Sequence, residues 1–160
     1  MNFILKTIWK RIVLFAVIAF ALIQFIPKPK RNSDDTISEA SFNTVYVVPD
    51  TIMHVLKTAC YDCHSNNTRY PWYSNIQPVA WYLNRHIVNG KEELNFDEFG
   101  RYSRRRQQSK FKAIASQIED NEMPLSSYRL LHREARLTKD EKRLLITWAK
   151  SSLDNIDSKK

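Results

Sequence analysis

A chain of 160 residues, 43% hydrophobic and with two cysteines, has room for one membrane-type segment and one domain of ordinary size, and no more. Its formal charge of +8 resembles a nucleic-acid footprint only until it is divided: residues 1–31 carry six basic and no acidic side chains, leaving 19 basic against 17 acidic beyond them. The basicity belongs to the flanks of an N-terminal apolar run, and no nucleic-acid partner is expected.

That run covers residues 12–26 and is broken only by Gln24, with Lys10 and Arg11 before it and Pro27 after. Ala19-Phe20-Ala21 has the small-x-small form of a signal-peptide cleavage site, but the sequence that follows it, Leu22 to Ile26, is still apolar, whereas cleavage precedes polar sequence. Residues 8–26 approach the ~20 residues needed to cross a bilayer, provided Lys10 and Arg11 reach back to the interface. The reading is an uncleaved anchor over residues 1–27, a single transmembrane helix that meets the cytoplasmic membrane through residues 8–26. Basic residues on both flanks leave its orientation undecided. Residues 28–43 are polar and aperiodic and read as a tether. The folded domain is expected over 44–152, with a polar tail at 153–160.

Val45, Val47 and Val48 suggest a short extended stretch ending at Pro49, after which Asp50 can cap a helix. Ile52, Val55, Leu56 and Ala59 follow at helical spacing and lead into Cys60-Tyr61-Asp62-Cys63-His64. In a C-x-x-C-H arrangement one helical turn brings two thiols to one side, where they add to the vinyl groups of a haem, and the adjacent imidazole reaches the iron. Three other readings compete. A thioredoxin-like pair would follow a strand, and the residues before Cys60 look helical. A structural zinc site needs two further ligands, and His54, His86 and His132 are scattered. A plain disulfide beside an incidental His64 is the third. Covalent haem carries most of the weight. Because such attachment takes place outside the bacterial cytoplasmic membrane, the expected location is the inner membrane, single-pass, with the C-terminal domain in the periplasm.

Residues 66–74 form a turn-rich aromatic loop that can cover a porphyrin edge and offer a backbone carbonyl to the second nitrogen of His64; alternatively Trp72 and Tyr73 are core residues. A helix is expected over 76–89, with Pro78 in its first turn, Gly90 as terminator and His86 on its apolar face. Leu94, Phe96 and Phe99 anchor the next loop. A further helix spans about 103–120, with Phe111, Ile114, Ala115 and Ile118 on one face. Its basic opening, from Arg101 to Lys112, is either a solvated face or a source of partners for haem propionates. Met123 before Pro124 sits in irregular backbone, where its thioether suits the sixth position of a haem iron. His86 is the alternative, with His132, His54 and an open position behind it. Ser127 to Glu134 suggests a short helical turn. Thr138-Lys139-Asp140-Glu141 is a capping box that opens a last helix carrying Leu144, Leu145, Trp148 and Ala149. The fold class is all-α.

In this order of elements the chain resembles class I c-type cytochromes: helix, Cys60-x-x-Cys63-His64, a variable middle, Met123-Pro124 and a terminal helix opened by Leu137-Thr138-x-x-Glu141. More closely, it is similar to a small bacterial family of haem-binding domain proteins, with one C-x-x-C-H behind an N-terminal membrane segment. The shared phrases are Tyr70-Pro71-Trp72-Tyr73, His86-x-x-x-Gly90, Leu94-Asn95-Phe96 and Met123-Pro124-Leu125-x-x-Tyr128. The resemblance covers roughly residues 45–150. It implies a cytochrome c-like domain around one covalent haem c, attached through Cys60 and Cys63 and ligated by His64. It also implies single-electron transfer to an unidentified redox partner protein rather than enzymatic turnover. A haem sensor or small-ligand binder with an open or weakly held sixth position is the alternative.

Overall fold

Helical periodicity translates into eight α-helices in a computed structural model that describes residues 2–34 and 38–158. They are α1 (Asn2–Ile23), α2 (Phe42–Val45), α3 (Asp50–Ala59), α4 (Tyr61–His64), α5 (Val79–Glu93), α6 (Arg104–Glu119), α7 (Ser126–Leu131) and α8 (Lys139–Ser158). Short 3-10 turns lie at Trp72–Asn75, Phe96–Arg101 and Arg133–Ala135. Among the described residues the one β pairing is an isolated bridge between Ser33 and Asn67, and the all-α expectation holds. Residue 1 of the expected anchor, residues 35–37 of the expected tether and residues 159–160 of the expected tail lie outside the described residues.

The chain divides into two units. The first combines the N-terminal residues up to Arg31 with Arg69–His86. Helix α1 is apolar on every side from Ile12 to Ile23, with Phe15 74% and Leu22 62% exposed. Every 18-residue stretch of it nevertheless contains Lys6, Lys10 and Arg11, and among the described residues no helix is long and apolar enough to cross a membrane. The transmembrane helix expected through residues 8–26 is corrected accordingly: the helix ends at Ile23, and Gln24, Phe25 and Ile26 close turns onto Ala21, Leu22 and Ile23. Gln24 then exchanges two 3.0 Å hydrogen bonds with the backbone of Gln77, its amide donating to one group and accepting from the other. Arg31 donates to Asn75 Oδ1 at 3.0 Å and lies 5.0 Å from the Tyr70 ring centroid. Trp72 is 76% exposed, which removes it from the core.

The second unit holds Asn32–Thr68 and the chain from Ile87 onward. Its core is aromatic and centred on Phe42, which is fully buried. The Phe42 ring meets Phe99 at 4.7 Å, Phe96 at 5.3 Å, Tyr46 at 5.4 Å, Trp148 at 5.6 Å and Phe111 at 5.9 Å between centroids. Most of these pairs are edge-on or tilted, the arrangement the ring quadrupole favours. Helices α6 and α8 pack together and supply Phe111, Ile114, Ala115 and Ile118 from one side and Leu145, Trp148 and Ala149 from the other.

Several boundaries differ from those expected. The tether is partly folded into this unit: Thr68 N–H donates to Asn32 O and Asp34 N–H to Asn66 O, while Ser41 and Phe42 are buried. Val45 closes the helical turn α2, because Tyr46 N–H bonds Phe42 O, so extended backbone begins only after it. Helix α5 runs through Gly90 to Glu93, and Gly90 keeps ordinary right-handed backbone. Helix α8 continues past Ser152 to Ser158, held by buried Ile156.

Candidate cofactor site

Helix α3 buries Ile52, Val55, Leu56 and Ala59 and ends at Cys60, where the backbone bends before α4 resumes. Cys63 N–H and His64 N–H both bond Cys60 O, at 3.2 and 3.0 Å, so the C-x-x-C-H segment is one turn with the imidazole at its end. Between the cysteines, buried Asp62 accepts the Tyr128 hydroxyl at 2.6 Å on its carboxylate and the Thr68 hydroxyl at 2.6 Å on its carbonyl. Tyr61 stacks on Phe96, 4.9 Å apart and 6° from parallel.

Helix α5 grips the motif from behind. A Cβ on Gly90 would stand 2.6 Å from Cys63 O, so only a glycine permits this approach of helix and motif. His64 Nδ1 then lies 2.8 Å from Gly90 O and 2.9 Å from Leu94 O. Carbonyl oxygens only accept, so Nδ1 carries the proton, and in the neutral ring Nε2 is left with its lone pair. Burial lowers the His64 pKa against the opposing pull of these two carbonyls, which keeps the ring neutral near pH 7. Sequence reasoning assigned such a carbonyl to residues 66–74. The structure takes both acceptors from the end of α5 and the residue after it, because continuation of the helix through Gly90 carries those carbonyls to the ring.

Cys60 and Cys63 are free thiols. Burial, with Cys63 as its neighbour, pushes the Cys60 pKa up to about 12; burial and the Asp62 carboxylate push Cys63 up to about 11. Both remain protonated at neutral pH, whereas dithiol redox chemistry runs through a thiolate.

Met123 arrives by way of the end of α6. Asn121 adopts a left-handed backbone with φ 60°, Asn121 N–H bonds Ile118 O, and Glu122 N–H bonds Gln117 O, a Schellman cap. Met123 N–H shares Gln117 O at 3.1 Å, which fixes the methionine directly beyond the cap. That asparagine is the signal the sequence reading passed over.

These elements enclose a cleft of about 300 Å³, at the lower end of the ~300–1,000 Å³ range of cofactor sites. Cys60, His64 and Met123 all line it, together with Leu56, Phe96 and Ile118. Cys63 sits behind, with its carbonyl against Gly90. Of the basic run, Lys110 alone reaches the cleft wall. Arg101 pairs with Glu98, Arg104 donates to Ile156 O, and Arg106 lies over the Tyr102 ring. The other histidines are engaged elsewhere: His86 Nδ1 is 2.8 Å from Tyr82 O within α5, His132 stacks on Tyr128 at 4.2 Å, and His54 is exposed on α3. Among the described residues no group of three or more His, Cys, Asp or Glu side chains is placed to hold a bare metal ion, so a zinc site gains no support.

The donor set suits a flat, apolar, metal-bearing ring. The walls are hydrophobic, one imidazole nitrogen is free for a metal, a thioether lines the same space, and two protonated thiols stand next to the imidazole. Comparison with curated proteins and with solved structures gives no match. The haem-binding domain family matches residues 18–151, a stretch that contains the cleft, both cysteines, His64 and Met123. The protein is thus a member of the haem-binding domain family.

Proposed function

We propose that the protein holds one haem covalently, as a c-type group, and passes single electrons in the bacterial periplasm. The observation that carries this reading is the pinning of His64: two backbone carbonyls fix its tautomer and leave Nε2 available in a cleft that Cys60 and Met123 also line. Bound haem supplies a one-electron iron couple. The chain does the rest. The Cys60 and Cys63 thiols would hold the haem by adding across its vinyl groups, each thiol proton going to the neighbouring carbon, so that no oxidant would be required. His64 Nε2 would bind the iron, and the two carbonyls at Nδ1 would increase its donor strength. Met123 would supply a second iron ligand, whose soft sulfur would raise the reduction potential relative to a second imidazole. Phe96, Leu56 and Ile118 would keep water away from the iron, since they line the cleft together with His64 and Met123. No substrate bond is broken on this reading, and turnover in the enzymatic sense is not part of it.

The exposed apolar surface of α1 from Ile12 to Ile23 supports attachment of the domain to the cytoplasmic membrane, since such a surface needs an apolar phase or partner. Confinement there raises the local concentration of the domain near membrane redox proteins.

The test is the reduced-minus-oxidised absorbance spectrum of the full chain made in a host with haem attachment machinery, read with its intact mass. A covalent haem that survives denaturation, with a methionine-ligated low-spin spectrum that is lost in Met123→Ala, is the expected result. A polypeptide with the mass of its amino acids alone overturns the proposal. Covalent haem with a spectrum unchanged in Met123→Ala transfers the function to an open-site sensor or small-ligand binder.

A further inference from the structure

The cleft is apolar along most of its wall, yet Lys110 lines it with a side chain only 17% exposed. An ammonium in that position calls for an anion, because withdrawal from water is repaid only by close opposite charge. Its partner is Glu93, at 3.4 Å and with a side chain 82% exposed, a loose pair of the kind that contributes little. Lys110 also belongs to a second, polar groove with Ser103, Arg105, Arg106 and Ser109, which Glu92 and Glu93 line as well, so that three cations there face two carboxylates. Arg106 is not withdrawn into the core: it lies over Tyr102 and donates to Glu92 O at 3.2 Å. The cleft thus has a polar end at which one largely buried lysine leads into a groove where two guanidinium groups stand beside the Glu92 and Glu93 side chains.

We infer that Lys110, with Arg105 and Arg106 in the adjoining groove, forms a carboxylate-binding edge that takes the two propionates of the haem and sets which way round the ring enters. This rests on the haem reading above and extends it from the metal to the rim of the macrocycle. Lys110 takes one carboxylate in place of the exposed Glu93, and the groove receives the other, where charge-assisted contacts add directional preference. The remainder of the basic run serves other purposes: Arg101 and Arg104 hold their own segments in place through Glu98 and the end of α8.

The experiment compares two probes on the full chain prepared without haem: haemin, with both carboxylates free, and haemin dimethyl ester, with both masked. Each is titrated by Soret absorbance into the natural protein and into Lys110→Met, Lys110→Arg and Arg105→Gln/Arg106→Gln variants. The expected result is tighter binding of haemin than of the ester by about tenfold in the natural protein, the order of one charge-assisted contact. That preference should shrink toward unity in Lys110→Met and return in Lys110→Arg. Equal affinity for acid and ester in the natural protein overturns the inference without any variant, while the haem reading stands. Retention of the full preference in Lys110→Met does the same. Absence of a Soret shift with both probes overturns the inference, while the haem reading is decided separately by the mass of the matured chain.

Discussion

A methyl group at position 90 tests the close approach of helix and motif more directly than any change to the motif itself. Helix propensity alone makes Gly90→Ala favourable by about 1 kcal/mol, because alanine is the better helix former. The observed contact reverses that sign: the new Cβ would meet Cys63 O at 2.6 Å, and backbone cannot move aside as a flexible side chain does. A net loss of about 1–3 kcal/mol, the usual cost of overpacking, is expected from the denaturant midpoint, with reduced haem yield beside it. A gain in stability would show that the helix stands farther from the motif. Tyr128→Phe probes the other side of the same turn. It removes a 2.6 Å hydrogen bond to the buried Asp62 carboxylate, and hydrogen bonds to charged groups contribute roughly 1.5–3 kcal/mol. The urea midpoint should fall accordingly, and the haem-bound spectrum of the variant should broaden as the cysteine turn loses its bond to α7. Among single residues, the candidate ligands stand out in the sequence and the scaffolding does not. Cys60, Cys63, His64 and Met123 are singled out by type and spacing, and the structure brings Cys60, His64 and Met123 to one cleft. Gly90 reads locally as a terminator, since nothing in its neighbours records that Cys63 lies against it. The Tyr128–Asp62 bond likewise joins positions 66 residues apart.

Among the helices, α8 shows how far local sequence can go. Its capping box is formed as expected: Thr138 Oγ1 accepts from Glu141 N–H at 3.2 Å, and Glu141 accepts from Thr138 N–H at 2.7 Å. Thr138→Ala should cost about 1 kcal/mol, measured as a lower midpoint in urea. The Thr138 backbone and hydroxyl hydrogen bonds hold the Glu141 carboxyl below its ordinary 4.5. A group depressed on folding contributes stability that is complete above its unfolded pKa and disappears as pH falls through the folded one. The natural protein should therefore lose more stability than Glu141→Gln on acidification below about pH 4.5; parallel losses would mean that the carboxylate makes no such bond. Helices α3, α6 and α8 could be read because their apolar faces repeat at helical spacing. Phe42 could not: one phenylalanine in a polar stretch has no period, and its place at the centre of the core depends on rings from three later segments. Helix α1 misled for a related reason. Its apolar content from Ile12 was correct, but three basic residues share its length and it stops at Ile23, where Gln24 bonds Gln77, a residue 53 positions away.

For the molecule as a whole, the cofactor wall and the structural core share residues. Phe96 faces the cleft and meets Phe42 inside, so the aromatic cluster supports the site as well as the fold. Phe42→Ala should cost about 3–5 kcal/mol, the range for a fully buried aromatic, with a lower melting temperature and a parallel decline in the fraction of chains that acquire haem. Full haem acquisition in a destabilised variant would separate the two roles. The arrangement around His64 also bears on how the site tolerates change. Metal-binding imidazoles are often steadied by a carboxylate, which one mutation can delete and a drop in pH can neutralise. Here the acceptors are main-chain oxygens of residues 90 and 94. No side-chain exchange removes the oxygens themselves, and they gain no proton at any pH at which the chain stays folded. The orientation of the ring is therefore a property of the peptide backbone, inherited by every variant that keeps α5 against the motif and the same in acid and alkaline surroundings.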